Sequence, residues 1–189
     1  MSASAQLCSV SDAKLYLGIT DSSSDSLLGA LVDGASEAIE NFCRRRFATA
    51  QYTEYHDGGD SAILLLDHCP VQSVAEIRVD ARHNFERAEP VDEDDYVVYP
   101  EEGLVVRIAG LFSAGTRNVR ILYTAGYAQT PQDVKRVCVM LVASWFNRGR
   151  QRADGLQSER LGDYAADYAS YGLSPEVTGL LAPYLELCI

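Results

Sequence analysis

Residues 51 to 67 read QYTEYHDGGDSAILLLD, and here the chain changes its period. Upstream, apolar residues recur every three to four positions; from here they alternate. Two strand-like runs flank Asp57-Gly58-Gly59-Asp60, which reads as a hairpin turn. The stretch therefore marks the entry from a helical region into a β module.

Working outward toward the N-terminus, residues 25 to 46 predict a long helix. Leu28, Leu31, Val32, Ala35, Ile39, Phe42 and Cys43 keep a 3.6-residue period. Asp25 near its start and Arg44, Arg45 and Arg46 near its end suit the helix dipole. Before it, SVSDAKLYLGI (9–19) predicts a short helix, with Ser9 as N-cap, Asp12 in the capping-box position and Gly18 as the stop.

Toward the C-terminus, Pro70 breaks the chain. The runs VQSVAEIRVD, DYVVYP, LVVRIAG and NVRILYTAGY follow, separated by PEEG and SAGT turns. Five or six short antiparallel strands are expected between 51 and 125. Helical signals return at Thr130 (N-cap), Pro131 (N1) and Asp133, and the stripe Val134, Val137, Cys138, Leu141, Val142, Trp145, Phe146 runs to Arg148-Gly149. Trp145, the one tryptophan, reads as core. After it come SERLGDYAADYASYG (158–172) and a short helix capped by Ser174, begun by Pro175 and stopped by Pro183.

The order gives an α+β fold. Two long packed helices and short N- and C-terminal helices are expected, with a small antiparallel β module (about 51–125) inserted between the long helices. Residues 1–154 form one domain in this reading; 155–189 form a C-terminal arm and short helix.

The 189 residues carry a net charge of −11, which argues against non-specific wrapping of nucleic acid. Five cysteines, an odd number without CxxC spacing, argue against a disulfide framework or zinc ribbon. The first ten residues lack the basic and apolar regions of a signal peptide, and no apolar run is long enough for a membrane span. A reducing cytosol, or an assembly built there, is the expected setting.

No nucleophile elbow, dinucleotide fingerprint or phosphate-loop lysine motif is present. His56, His68 and His83 all fall in the β module with acids nearby, but without HxH or HExxH spacing they read as hairpin-edge histidines, not metal ligands. Residues 86 to 102 hold eight acids and one arginine. They read as a solvated loop, or else as a surface facing DNA in transit or a basic patch on a partner. Arg44, Arg45 and Arg46, with Arg148, Arg150 and Arg152, form two basic clusters at helix C-termini. Paired with the acidic block, they would make head-to-tail contacts between copies.

The order of elements resembles phage head–tail connector proteins, the adaptor or head-completion family. The resemblance is carried by SVSDAKLYLGI, the helix ending in FCRRRF, YTEYHDGG with LLLDHCPVQSV, VRILYTAGYAQTPQDVKRVCVMLVASWFNR, and SERLGDYAADY. It spans about residues 9 to 185. The loop 81–95 is long and acidic for the pattern. Related adaptors also occur in prophage-like particles and gene transfer agents.

The resemblance implies a structural subunit, with no catalysis and no cofactor. It implies a homo-oligomeric ring, usually twelve-fold, that docks on the portal and extends the DNA channel. The ring would support the next connector, stopper or tail protein and make transient contact with DNA. On that reading Arg148, Arg150, Arg152, Leu161, Tyr164, Tyr168, Tyr171 and Tyr184 are candidates for the portal or subunit interface. Arg44, Arg45, Arg46, Asp92, Glu93, Asp94 and Asp95 are candidates for subunit pairing or the channel wall. Tyrosine offers broad amphipathic contact with few rotatable bonds, so residues 155–173 are expected to cross to a neighbour or the portal. The alternative is an arm folded back on its own helices. The rival functions are a stopper or tail-completion ring, a small hydrolase using the β-module histidines, and a stand-alone acidic binding module.

Overall fold

Ser9 stands where the first helix must begin. Its Oγ accepts from the N–H of Asp12, whose carboxylate accepts in return from the N–H of Ser9 at 2.9 Å. This reciprocal box satisfies two otherwise orphaned donors and starts α1 (Val10–Leu17), which Gly18 ends at φ 68°. The structure is a computed structural model that describes residues 5–150, 158–161, 164–167 and 175–185.

Helix α2 (Asp25–Cys43) stops three residues before the predicted end. Arg44 turns left-handed at φ 55°, and the buried Glu40 draws the chain back by pairing with Arg46 and accepting from the N–H of Phe47. Helix α3 (Gln132–Arg150) opens one residue later than expected, just after Pro131, whose carbonyl accepts from the N–H of Lys135 at 2.9 Å. Helix α4 (Pro175–Leu181) runs into a 3₁₀ turn, Ala182–Tyr184.

The chain divides into two compact units, residues 1–47 with 130–189 and residues 48–129. In the helical unit, α3 contacts α1, α2 and α4. Leu28, Val32, Ala35 and Ile39 of α2 are buried, as are Val134, Val137, Leu141, Val142 and Phe146 of α3. Each large aliphatic side chain so buried contributes about 1.5–3 kcal/mol. The segment before α1 is tied in as well. Leu7 N–H donates to Ser36 Oγ at 3.0 Å, and Cys8 Sγ lies 3.2 Å from Cys138 Sγ. The Cys138 contact, and then burial, push the Cys8 thiol up. Cys8, Cys43 and Cys138 are buried thiols outside any disulfide.

The β unit contains β1 (Ala50–His56), β2 (Ile63–Leu65), β3 (Val71–Val79), β4 (Tyr96–Tyr99), β5 (Leu104–Arg107) and β6 (Val119–Ala125). They form two antiparallel sheets, β1-β6-β3 and β2-β5-β4. Both contribute to one core, in which Leu64, Val105, Ile77, Phe112, Ile121 and Tyr123 meet.

The expected hairpin across Asp57–Asp60 does not form: β1 and β2 belong to different sheets. The loop's donors and acceptors go instead to residues 114–118. Gly58 N–H donates to Gly115 O and Asn118 Oδ1, Asp57 accepts from Arg117 N–H, and Asp60 accepts from Ala114 N–H. A Cβ on Gly58 would lie 1.9 Å from Ser113 O, so this glycine serves close approach and not a tight turn.

Beyond α3, β7 (Ser158–Leu161) pairs antiparallel with β8 (Tyr164–Asp167), with Leu161 opposite Tyr164. Among the described residues no helix is long and apolar enough to cross a membrane.

Candidate functional site

Strand alternation places Tyr52, Glu54 and His56 of β1 on one face, toward the β-unit core. Glu54 is 9% exposed, and its carboxylate is filled by four donors. Oε2 accepts from His56 Nε2 at 2.9 Å and Asp67 N–H at 3.1 Å. Oε1 accepts from His68 Nδ1 at 2.9 Å and from the Tyr123 hydroxyl. Tyr52 stacks on the His68 ring, centroids 3.8 Å apart. Burial alone would raise the Glu54 carboxyl, but the bonds from His56, His68, Tyr123 and Asp67 outweigh it and hold it well below the usual carboxylate range. The Tyr123 hydroxyl is pushed up, by burial first and then by Glu54.

Two of the three histidines predicted at hairpin edges are thus brought together on one buried carboxylate. His83 lies apart from them, its Nε2 2.9 Å from Thr116 O and its ring stacked on Phe85. Each Glu54 oxygen meets a different imidazole. Among the described residues no group of three His, Cys, Asp or Glu side chains is arranged to hold a metal ion. With its acceptor capacity spent, Glu54 acts as a clamp joining β1, β6 and the β2–β3 loop. Sequence reading missed this cluster. The signal for its strand half was a carboxylate in phase with Tyr52; the contribution of His68 comes from a loop and has no local signature.

The basic candidates separate into two settings. Arg44 is the left-handed cap of α2, and Arg46 is paired with Glu40. Arg148 and Arg150 instead edge an apolar groove of about 440 Å³ lined by Leu27, Leu31, Trp145 and Phe146. Arg150 lies over the Phe146 ring at 5.8 Å. Trp145, read from sequence as core, is half-buried in this groove, and Leu27 is 53% exposed. Arg152, Tyr168 and Tyr171 lie outside the described residues. Leu161 and Tyr164 occupy the turn-proximal pair of the β7–β8 ribbon. Tyr184 packs edge-on against Phe47 of its own chain, centroids 5.8 Å apart.

The acidic block is pinned, not loose. Asp92 caps a 3₁₀ turn over Glu93–Asp95 by accepting from Asp94 N–H. Asp95 pairs with Arg107 at 3.7 Å, while Asp92, Glu93 and Asp94 stay exposed. Upstream, Arg78 holds the carbonyls of Phe85 and Ala88, and Val91 N–H donates to Ile77 O.

What the geometry offers is a set of surfaces: an arginine-edged groove, an acidic turn and a sheet locked from within. Known structures match the fold that carries them. Chains of gene transfer agent (GTA) particles share the fold. One, from the neck of an empty particle computed with C6 symmetry, matches at TM-score 0.63 and 19% identity, over 95% of this chain and 90% of that one. Another, from the neck of a native particle computed with C12 symmetry, matches at TM-score 0.60 and 18% identity, over 95% and 89%. A third, from the virion of a native particle, gives 0.61 and 18%, over 95% and 90%. No curated protein is matched by the sequence. The family model described as head completion protein matches residues 6–159. That match takes in α1, α2, the whole β unit and α3, so it rests on the full succession of elements and not on a single motif, and the chain belongs to the head completion protein family.

Proposed function

We propose that this chain is a structural subunit of the head–tail junction of a phage-like particle, assembled in the host cytoplasm. Copies form a ring, twelve-fold like the portal beneath which it docks. The ring continues the DNA channel and offers a platform to the next connector or tail protein. The family match over residues 6–159 carries this reading. The likeness to neck chains of particles computed with C12 and C6 symmetry supports the ring.

The two long helices, packed together, are the body of the subunit. The segment 155–173, including Leu161, Tyr164, Tyr168 and Tyr171, reaches a neighbour or the portal, while Tyr184 stays against Phe47 of its own chain. Asp92, Glu93, Asp94 and Asp95 give the ring an acidic surface that faces either the channel or the arginines of a neighbouring copy. Multiplicity supplies the avidity that a single weak contact lacks.

The test is a reconstruction of the native particle, paired with a strain lacking the gene. The expected result is density for this fold in a ring at the DNA-exit vertex, and filled heads without tails in the deletion strain. A deletion strain that makes complete, tailed particles would refute the proposal.

A further inference from the structure

Sheet β2-β5-β4 is apolar on both faces. One face feeds the core through Leu64, Val105 and Val98. On the other, register sets Ile63, Val106 and Val97 in one row and Leu65, Leu104 and Tyr99 in the next, since directly opposed residues share a face. Ile63 is 55% exposed, Leu65 45%, Val97 42% and Tyr99 48%; Ile108, just past β5, is 66% exposed. An open antiparallel sheet ordinarily turns polar residues to water on this side, and a contiguous apolar patch marks an interaction site. Both ends of this strip are acidic. Asp95 and the exposed Asp92, Glu93 and Asp94 precede β4; the exposed Asp67, Glu101 and Glu102 lie beyond the second row.

An occupant of this face must be apolar with a cationic rim. Such a surface is present on the chain itself: the groove of Leu27, Leu31, Trp145 and Phe146, edged by Arg148 and Arg150. We infer that the outer face of β2-β5-β4 in one copy seats on the α2–α3 groove of another copy. The inference rests on the ring reading above and assigns the surfaces that make the ring. Because the two surfaces differ, the contact is heterologous, and every copy offers one surface to each neighbour, as ring closure requires. Charge complementarity selects partner and register, while Tyr99 and Trp145 supply the aromatic anchors.

The experiment replaces Tyr99 with a photo-reactive phenylalanine analogue in the full chain. Cross-links are mapped by mass spectrometry, both in concentrated purified protein and in isolated particles. The expected product joins position 99 of one copy to the α2–α3 groove of another. A link to any other site, or no link between copies in either sample, overturns the pairing. Absence of the chain from particles refutes the ring reading instead.

A mixing experiment gives a second decision. Leu65→Lys with Tyr99→Lys spoils only the sheet face; Arg148→Glu with Arg150→Glu spoils only the groove. Each variant alone should self-associate about tenfold more weakly than wild type or worse, with unchanged melting as the control for folding. Their equimolar mixture should recover one interface and stop at 1:1 dimers in sedimentation. A mixture no tighter than either variant alone overturns the pairing.

Discussion

The two sheets of the β unit share a core but treat water differently. In β1-β6-β3 the inner face carries Tyr52, Glu54, Ile121 and Tyr123, and the outer face is mostly polar, with Leu122 and Tyr55 set among Gln51, Thr53, Glu76, Arg78, Arg120 and Thr124. There Arg120 bridges Glu76 at 2.7 Å and Glu86 at 2.6 Å and lies over the Phe85 ring. In β2-β5-β4 the outer face is Ile63, Leu65, Val97 and Tyr99. The first sheet ties the charged residues of its outer face to one another within the chain, although Arg120 Nε is buried without an acceptor. The second leaves apolar area in water that folding alone does not remove. Substitutions in the first should therefore act on stability, and outward-facing ones in the second on association.

The largest effect should come from Glu54→Ala, which strands His56, His68, the Tyr123 hydroxyl and Asp67 N–H at one buried point. It should cost about 3 kcal/mol in urea unfolding; near-wild-type stability would break the contrast. Next is acid. The Glu54 carboxyl is depressed in the folded chain, so its contribution is fully present above the ordinary value of 4.5 and is lost as pH falls toward the lower folded value. Unfolding midpoints measured from neutral pH to about 3 should fall more steeply for wild type than for Glu54→Gln. Arg120→Ala should cost about 1 kcal/mol, since Glu86 is largely exposed while the Phe85 contact and Glu76 are lost together. Smallest is Leu65→Ser, which should change the melting free energy by less than about 0.5 kcal/mol. A larger loss would mean that the outer face of β2 supports its own chain, and the contrast between the sheets would need redrawing.

Legibility in the sequence followed the range of the interactions. The α1 boundaries were readable because Ser9, Asp12 and Gly18 act within one turn. The α3 start was readable because Pro131 fixes it, and the strand positions because alternation is local. The α2 end was missed because Glu40 recruits Arg46 and Phe47 from beyond the helix. The hairpin expected across Asp57–Asp60 does not form because Asp57, Gly58 and Asp60 spend their hydrogen bonds on residues 114–118, more than fifty positions away. The exposed strip on β2-β5-β4 was present in the letters LLL and YVVY, but only the register shows which of those side chains face water.

Ala48 and Tyr127 pair side by side, so the β unit leaves and re-enters the chain through a doorway one strand spacing wide, about 4.8 Å. Gly126 keeps the doorway narrow: a Cβ there would sit 2.4 Å from Ala48 O. A segment whose ends already touch is the kind that recombination can lengthen, trim or exchange without re-threading its host. What lies between residues 48 and 127 is therefore open to replacement without breaking the path of the chain through its helices.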